Sequence, residues 1–254
     1  AYPPVHGNGG SPVVFEDLLI SSRDGGDVAE VVALDKRTGE VRWRVPRGVE
    51  ASRQFSFCTP LVLNVDGREQ LIFPGSNVVQ SLDPRTGDEH WRVTYEGYSV
   101  VPRPIYEAGL VFICTGYDRA KLLAIDPTGS GDVTETHLKW QVKSGVPLTP
   151  SLIGNRGRIL MISDNGIASC LDAKTGDELW KERIGGNFSA SPLLVGDLLY
   201  MLSEDGVTTV LNVQGESPQQ VGQNKMQERC LASYAVIGDD LLLRSAQALY
   251  RLSR

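Results

Sequence analysis

The segment ALDKRTGEVRW, residues Ala33–Trp43, is one copy of a motif that returns along the whole chain. The other clear copies are SLDPRTGDEHW at Ser81–Trp91, the lengthened AIDPTGSGDVTETHLKW at Ala124–Trp140, and CLDAKTGDELW at Cys170–Trp180. A fifth copy, VLNVQGES, has lost its tryptophan. Self-similarity at a nearly fixed period indicates a repeat architecture, in which each repeat is one structural unit.

Two markers define the period. The acid or amide of each copy lies at Asp35, Asp83, Asp126, Asp172 and Asn212, with intervals of 48, 43, 46 and 40 residues. The second marker, a small residue before proline, occurs at Ser11-Pro12, Thr59-Pro60, Arg103-Pro104 (with arginine as the variant), Thr149-Pro150 and Ser191-Pro192, and continues without proline at Ser233-Tyr234. The markers divide a single 1–254 domain into units of about 11–58, 59–102, 103–148, 149–190, 191–232 and 233–254.

Each unit contains short β-rich runs separated by turn residues. After Ser191-Pro192 the runs are LLV, LLYMLS and VTTVLN, separated by Gly196-Asp197 and by a Glu-Asp-Gly turn. The preceding unit continues to a fourth run that contains Trp180. Four short strands every ~40–48 residues, without a helical pattern, predict an all-β fold. We expect a β-propeller of four-stranded antiparallel blades, five full blades plus a partial sixth.

The motif residues have structural explanations. The aspartate accepts hydrogen bonds from turn amides, and Thr-Gly supplies a hydroxyl and a residue that tolerates positive φ. The tryptophan buries its ring against a neighbouring blade. We therefore assign a structural role in the repeat to Asp35, Trp43, Asp83, Trp91, Asp126, Trp140, Asp172 and Trp180.

The pattern A/S/C-x-D-x-x-T-G-x-x-x-W resembles the tryptophan-docking motif of the pyrroloquinoline-quinone-like (PQQ-like) propellers. That family includes quinoprotein alcohol dehydrogenases and BamB-type outer-membrane assembly lipoproteins. The resemblance extends over essentially all 254 residues and is greatest to exported bacterial PQQ-binding-like or BamB-like repeat proteins. It implies a periplasmic or secreted protein of the bacterial cell envelope.

Composition excludes several classes of function. The net charge is −6 and no basic stripe is present, so nucleic acid is not an expected partner. No apolar run approaches the ~20 residues of a transmembrane helix. The four cysteines form no CxxC pair, which argues against zinc. Motifs of phosphate-binding loops, metalloproteases and serine hydrolases are also missing.

Variable loops on a fixed scaffold are the usual place for binding residues. In a propeller blade with strands A to D, the D-to-A connections and B-to-C hairpins share one face, and here the D-to-A connections vary most. Aromatic residues and arginine are enriched at binding hot spots. The candidate partner-binding residues on this face are Arg53, Phe55, Tyr98, Arg103, Tyr117, Asn187 and Phe188.

Two functions from different classes follow. The leading hypothesis is a non-enzymatic exported scaffold that binds a protein or polymer through this loop face, with no catalytic, cofactor-binding or metal-binding residues. The alternative is a PQQ-dependent quinoprotein dehydrogenase, or a domain of one, with PQQ and calcium as its cofactors. The sequence departs from those enzymes because its cysteines are never adjacent, all four tryptophans belong to the repeat motif, and its length is about half of theirs.

Ring closure leaves two alternatives. The sixth unit supplies runs at Tyr234–Ile237, Asp240–Arg244 and Ala248–Leu252 but no fourth strand, and residues 1–10 are rich in proline and glycine. We expect the C-terminal part of a larger seven- or eight-bladed ring, with self-association through open blade edges. The other alternative is a self-sufficient six-bladed ring.

Overall fold

The described part of the chain in the computed structural model comprises residues 6, 7 and 9–253. The chain forms two compact units, Ala1–Ser144 and Gly145–Arg254, and the described residues form three sheets, or blades, in each unit. Across the described residues no helix is present, and hence none long and apolar enough to cross a membrane. The all-β propeller class predicted from the sequence is confirmed.

The first unit contains blades 1 to 3. Blade 1 comprises β1 (Val13–Phe15), β2 (Leu18–Asp24), β3 (Ala29–Asp35) and β4 (Val41–Pro46). Blade 2 comprises β5 (Leu61–Val65), β6 (Arg68–Gly75), β7 (Val78–Leu82) and β8 (Glu89–Thr94). Blade 3 comprises β9 (Ile105–Glu107), β10 (Leu110–Cys114), β11 (Leu122–Ile125) and β13 (Leu138–Val142).

The second unit contains blades 4 and 5 and the partial blade 6. Blade 4 comprises β14 (Ile153–Asn155), β15 (Arg158–Ile162), β16 (Ile167–Asp172) and β17 (Glu178–Arg183). Blade 5 comprises β18 (Leu193–Val195), β19 (Leu198–Leu202), β20 (Val207–Asn212) and β21 (Gln219–Lys225). Among the described residues blade 6 has three strands, β22 (Ala235–Ile237), β23 (Asp240–Arg244) and β24 (Leu249–Leu252).

Each motif tryptophan lies opposite a small residue of the adjacent strand. The pairs are Ala33 with Trp43, Ser81 with Trp91, Ala124 with Trp140, and Cys170 with Trp180, and the strand register shifts directly after each pair. A small partner leaves room for the indole ring on the pleated surface. Gly222 takes the tryptophan position in blade 5, opposite Val210.

The aspartate of the motif closes its turn. Asp35 Oδ1 accepts the backbone N–H groups of Arg37 at 2.9 Å and Thr38 at 3.0 Å, and Asp172 Oδ1 accepts those of the corresponding residues of blade 4. A hydrogen bond from Arg42, together with the turn amides, holds the pKa of Asp35 well below its usual value. These local bonds explain why the spacing is nearly constant between blades.

The second sequence marker, a hydroxyl residue just before the first strand of a blade, connects neighbouring blades by hydrogen bonds, and we call it the hydroxyl marker. The N–H of Ser11 donates to Thr59 Oγ1 at 3.0 Å, and the N–H of Ser191 donates to Ser233 Oγ at 2.8 Å. In blade 4 the corresponding donor is Ser151, whose N–H reaches Ser191 Oγ at 3.0 Å. The position equivalent to the marker is therefore Ser151, two residues after the Thr149 chosen from the sequence.

Blade 2 has a fifth strand that the sequence did not predict. The lengthened turn of blade 3 contains β12 (Gly131–Asp132), which pairs in parallel with β8. Thr134 Oγ1 accepts the N–H of Thr94 at 2.9 Å, and the buried side chain of Val133 packs into the core between blades 2 and 3. The insertion thereby covers an edge strand whose backbone groups would otherwise be unpaired.

The tryptophans provide a comparison of hydrogen-bonded and unbonded indoles. Trp91 Nε1 donates to Gln70 Oε1 at 2.8 Å and to the carbonyl oxygen of Pro127 at 3.1 Å, whereas Trp43 Nε1 and Trp180 Nε1 are buried without an acceptor. Trp91→Phe should therefore reduce the free energy of unfolding by about 1–2 kcal/mol more than Trp43→Phe or Trp180→Phe. Urea unfolding of the three variants measures the difference, and equal midpoints would contradict this assignment.

Candidate functional site

Four loops of the first unit form a cluster on the face that carries the D-to-A and B-to-C connections. They are residues 47–60 between β4 and β5, residues 76–77 between β6 and β7, residues 95–104 between β8 and β9, and residues 115–121 between β10 and β11. Each loop continues a strand of its blade, so the blade beneath it fixes where the loop begins. We call these four segments the loop cluster.

Backbone hydrogen bonds tie the loop cluster together. The N–H of Ser99 donates to the carbonyl oxygen of Phe55 at 2.7 Å, and the N–H of Tyr117 donates to that of Tyr98 at 2.8 Å. The N–H of Asn77 donates to the carbonyl oxygen of Gly97, also at 2.8 Å. These bonds join residues far apart in sequence and leave the loops little freedom to separate.

Two glycines allow the loops to approach this closely. A Cβ atom on Gly97 would lie 1.9 Å from the carbonyl oxygen of Thr115, and one on Gly116 would lie 2.1 Å from that of Tyr98. Gly116 also has a φ of +88°, in the left-handed region that favours glycine. A side chain at either position would push the loops apart.

Three residues of the loop cluster adopt positive φ angles without being glycine. Their φ angles are 61° at Asn77, 53° at Ser99 and 71° at Asp118. Such conformations are unfavourable for residues with a side chain and persist where the surroundings impose them, often at functional sites. The backbone around Tyr98 is therefore held in one conformation at an energetic cost.

An exposed stack of side chains lies on this backbone. The Arg53 guanidinium lies 4.6 Å from the ring centroid of Tyr98 and donates to its hydroxyl oxygen, and that hydroxyl donates to Asp118 Oδ2 at 2.7 Å. The Tyr117 ring stacks on Tyr98 with centroids 6.4 Å apart, and Tyr117 is 46% exposed. The bond to Asp118 raises the pKa of Tyr98, which keeps the phenol neutral. We call Arg53, Tyr98, Tyr117 and Asp118 the Tyr98 platform.

A buried ion pair supports the loop cluster between blades 1 and 2. The Arg47 Nε and Nη2 atoms donate to the two carboxylate oxygens of Asp24 at 3.0 and 2.7 Å. Arg47 Nη1 donates to the carbonyl oxygen of Phe73 at 2.9 Å, and the guanidinium lies 4.8 Å from the Phe73 ring centroid. A small surface cleft adjoins the pair and is also lined by Ala29, Val49, Ala51, Gln54 and Ser76. This pair could not be identified from the sequence, because nothing local distinguishes Arg47 from the exposed Arg44.

The other predicted site residues lie apart from the Tyr98 platform or are buried. Phe55 is half-buried, and its carbonyl oxygen accepts bonds from two residues of the loop cluster. Arg103 is exposed at the hydroxyl-marker position that precedes β9, and Asn187 is exposed in the second unit. Phe188 is only 2% exposed and packs in the core with Trp180, so its prediction as a partner contact is wrong. An apolar ring in a loop is as well suited to filling the core as to binding.

The loops of the second unit hold two glutamates that the sequence analysis did not single out. Glu204 accepts bonds from Ser189 Oγ at 2.6 Å and from Arg229 at 3.1 Å, and these bonds lower its pKa. Glu228 accepts bonds from Ser245 and Tyr250, which lower its pKa likewise. Because both carboxylates remain ionised and hydrogen-bonded, these groups stabilise the loops.

Comparison with known proteins identifies relatives. A family model described as outer membrane protein assembly factor BamB matches residues 5–139 and 75–243. The outer membrane protein assembly factor BamB of Alkalilimnicola ehrlichii is 25% identical over an aligned length of 215 residues, and the alignment covers 80% of this chain and 51% of that protein. The chain thus spans about half the length of the curated relative it matches.

Solved structures with the same fold include BamB from Moraxella catarrhalis, with a TM-score of 0.53, 17% identity, and coverage of 96% of this chain and 84% of that one. Quinohemoprotein alcohol dehydrogenase from Comamonas testosteroni gives a TM-score of 0.62 at 16% identity, with coverage of 87% and 43%. The computationally designed Ika8 protein gives 0.68 at 11% identity, with coverage of 96% and 70%. At these identities the likeness extends to the fold alone.

Proposed function

The chain belongs to the family of the outer membrane protein assembly factor BamB, and on that premise we propose that it is a non-enzymatic scaffold of the bacterial envelope that binds a protein partner through its loop face. The observation that carries the proposal is the Tyr98 platform. It places an arginine and two tyrosines, which are hot-spot residue types, on an exposed surface with a locked backbone. A surface organised before binding loses less conformational entropy when the partner docks.

The proposal assigns no catalytic residue and no cofactor. The side chains of the Tyr98 platform are engaged with one another, and the phenol of Tyr98 is held neutral by Asp118. Such an arrangement provides contact area and hydrogen bonds rather than an activated nucleophile or base. The periplasmic side of the outer membrane is the proposed location, in keeping with membership of a family of outer membrane assembly factors.

Photo-crosslinking in cells that express the full chain tests the partner and the face together. Tyr117→p-benzoylphenylalanine places the reactive group on the Tyr98 platform, and Arg37→p-benzoylphenylalanine places it in an exposed turn between strands C and D of blade 1. We expect protein adducts from position 117 and none from position 37. Equal adducts from both positions, or none from 117, would contradict the proposed face. Stoichiometric binding of PQQ with calcium to the purified protein would overturn the non-enzymatic part.

A further inference from the structure

Arg53 differs from Arg47, the buried arginine of the same loop, in what it contacts. Arg47 directs its guanidinium to the Asp24 carboxylate and to backbone carbonyl groups, and it is almost completely buried. Arg53 is exposed, and none of the ion pairs found among residues 6–7 and 9–253 includes it. Its contacts are the ring and the hydroxyl oxygen of Tyr98. Among the described residues, Arg53 reaches a carboxylate only through the Tyr98 hydroxyl, which donates to Asp118, and its other guanidinium N–H groups have no acceptor.

Asp118, the carboxylate of the Tyr98 platform, is hydrogen-bonded to Tyr98 and not directly to Arg53. Asp118 Oδ2 accepts the hydroxyl hydrogen of Tyr98. The backbone of Asp118, with its positive φ, sets the direction in which the Asp118 side chain leaves the loop. This arrangement orients the Tyr98 ring, and the ring in turn holds the Arg53 guanidinium by a cation–π contact. Stacking on the ring restrains the planar guanidinium, so less freedom is lost when it binds a second group.

On the basis of the proposed function, we infer that the Tyr98 platform binds an extended segment of the partner that carries carboxylate side chains, with Arg53 contacting a carboxylate and Tyr117 contacting a neighbouring apolar or aromatic side chain. The free donors of a guanidinium match the two oxygens of a carboxylate. The exposed Tyr117 ring supplies the apolar contact beside it.

The dimensions of the Tyr98 platform suit an extended peptide. The guanidinium-to-Tyr98 distance is 4.6 Å, and the Tyr98-to-Tyr117 distance is 6.4 Å. Side chains on the same face of an extended strand repeat every two residues, or about 6.6 Å. This repeat is close to the 6.4 Å between the Tyr98 and Tyr117 ring centroids, so two such side chains match the spacing of the ring that carries Arg53 and the ring of Tyr117. A neutral ligand would leave the free N–H donors of the Arg53 guanidinium without an anionic acceptor.

Fluorescence anisotropy with the full purified chain tests the inference. The probe is a labelled peptide of alternating glutamate and tyrosine, and the comparison peptide has glutamine in place of every glutamate. Arg53→Gln is the test variant. Arg85→Gln is the matched control, because Arg85 is already paired with Glu16 and lies in the turn between β7 and β8. We expect the glutamine peptide to bind about tenfold more weakly than the glutamate peptide.

Arg53→Gln should weaken glutamate-peptide binding about tenfold, while Arg85→Gln leaves it unchanged. Equal affinity for the two peptides, equal losses in the two variants, or displacement of the glutamate peptide by inorganic phosphate at an equal concentration would overturn the inference. Crosslinking from position 117 distinguishes the two proposals. If position 117 gives protein adducts but the two peptides bind equally, the carboxylate inference is overturned and the proposed function still stands.

Discussion

Asp24→Ala is expected to lower the free energy of unfolding by about 3–5 kcal/mol, because it leaves the Arg47 guanidinium buried without its counter-charge. The side chains of Asp24 and Arg47 are 1% and 2% exposed, so water does not replace the lost carboxylate. The pair joins blades 1 and 2 beneath the loop cluster, since Arg47 also bonds the carbonyl oxygen of Phe73 on β6. Urea unfolding monitored by tryptophan fluorescence measures the loss.

Two matched variants separate this effect from a general loss of packing. Combining Asp24→Ala with Arg47→Met removes both charges and keeps an apolar chain against Phe73, so the double variant should recover most of the lost stability. Asp197→Ala breaks the exposed pair with Arg156, whose side chain is 72% exposed, and should cost at most about 1 kcal/mol. A loss for Asp24→Ala no larger than that for Asp197→Ala would refute the structural importance of the buried pair.

The fold could be predicted because its signals are local. Asp35 accepts hydrogen bonds from the amides two and three residues later, and Asp83 and Asp172 do the same, so consecutive residues determine each of these turns. The tryptophan positions are also local, because each tryptophan lies opposite a small residue of the adjacent strand in the same motif copy. Local signals can also mislead by a few residues. Thr149-Pro150 has the residue types of the second marker, but the neighbouring Ser151 makes the hydrogen bond between blades.

The site was less predictable because its contacts are between residues distant in sequence. Asp24 and Arg47 are 23 residues apart, and only the pairing of strands brings them together. Arg53 and Tyr98 were selected by residue type and loop position, and the structure brings them into contact. The same criteria selected Phe188, which is buried in the core. Residue type in a loop therefore identifies candidates, and burial decides between them.

Gly116→Ala is expected to abolish binding at the Tyr98 platform. The added Cβ would lie 2.1 Å from the carbonyl oxygen of Tyr98, so the bond from the Tyr117 N–H to that oxygen cannot keep its length of 2.8 Å. Tyr117 and Tyr98 would then separate, and the stack would lose its geometry. Gly109→Ala is the matched control, because Gly109 has nearly the same φ, +86°, but no atom lies within 4 Å of its added Cβ.

Both substitutions carry the strain of a side chain in the left-handed region, about 1–2 kcal/mol, so their difference isolates the close approach of the two loops. Gly109→Ala should lower the unfolding midpoint slightly and leave both crosslinking from position 117 and glutamate-peptide binding intact. Gly116→Ala should lower the midpoint further and eliminate both binding signals. If Gly116→Ala retained normal crosslinking and peptide affinity, a rigid loop cluster would not be needed for binding, and the partner would have to dock on a surface that does not depend on Tyr98.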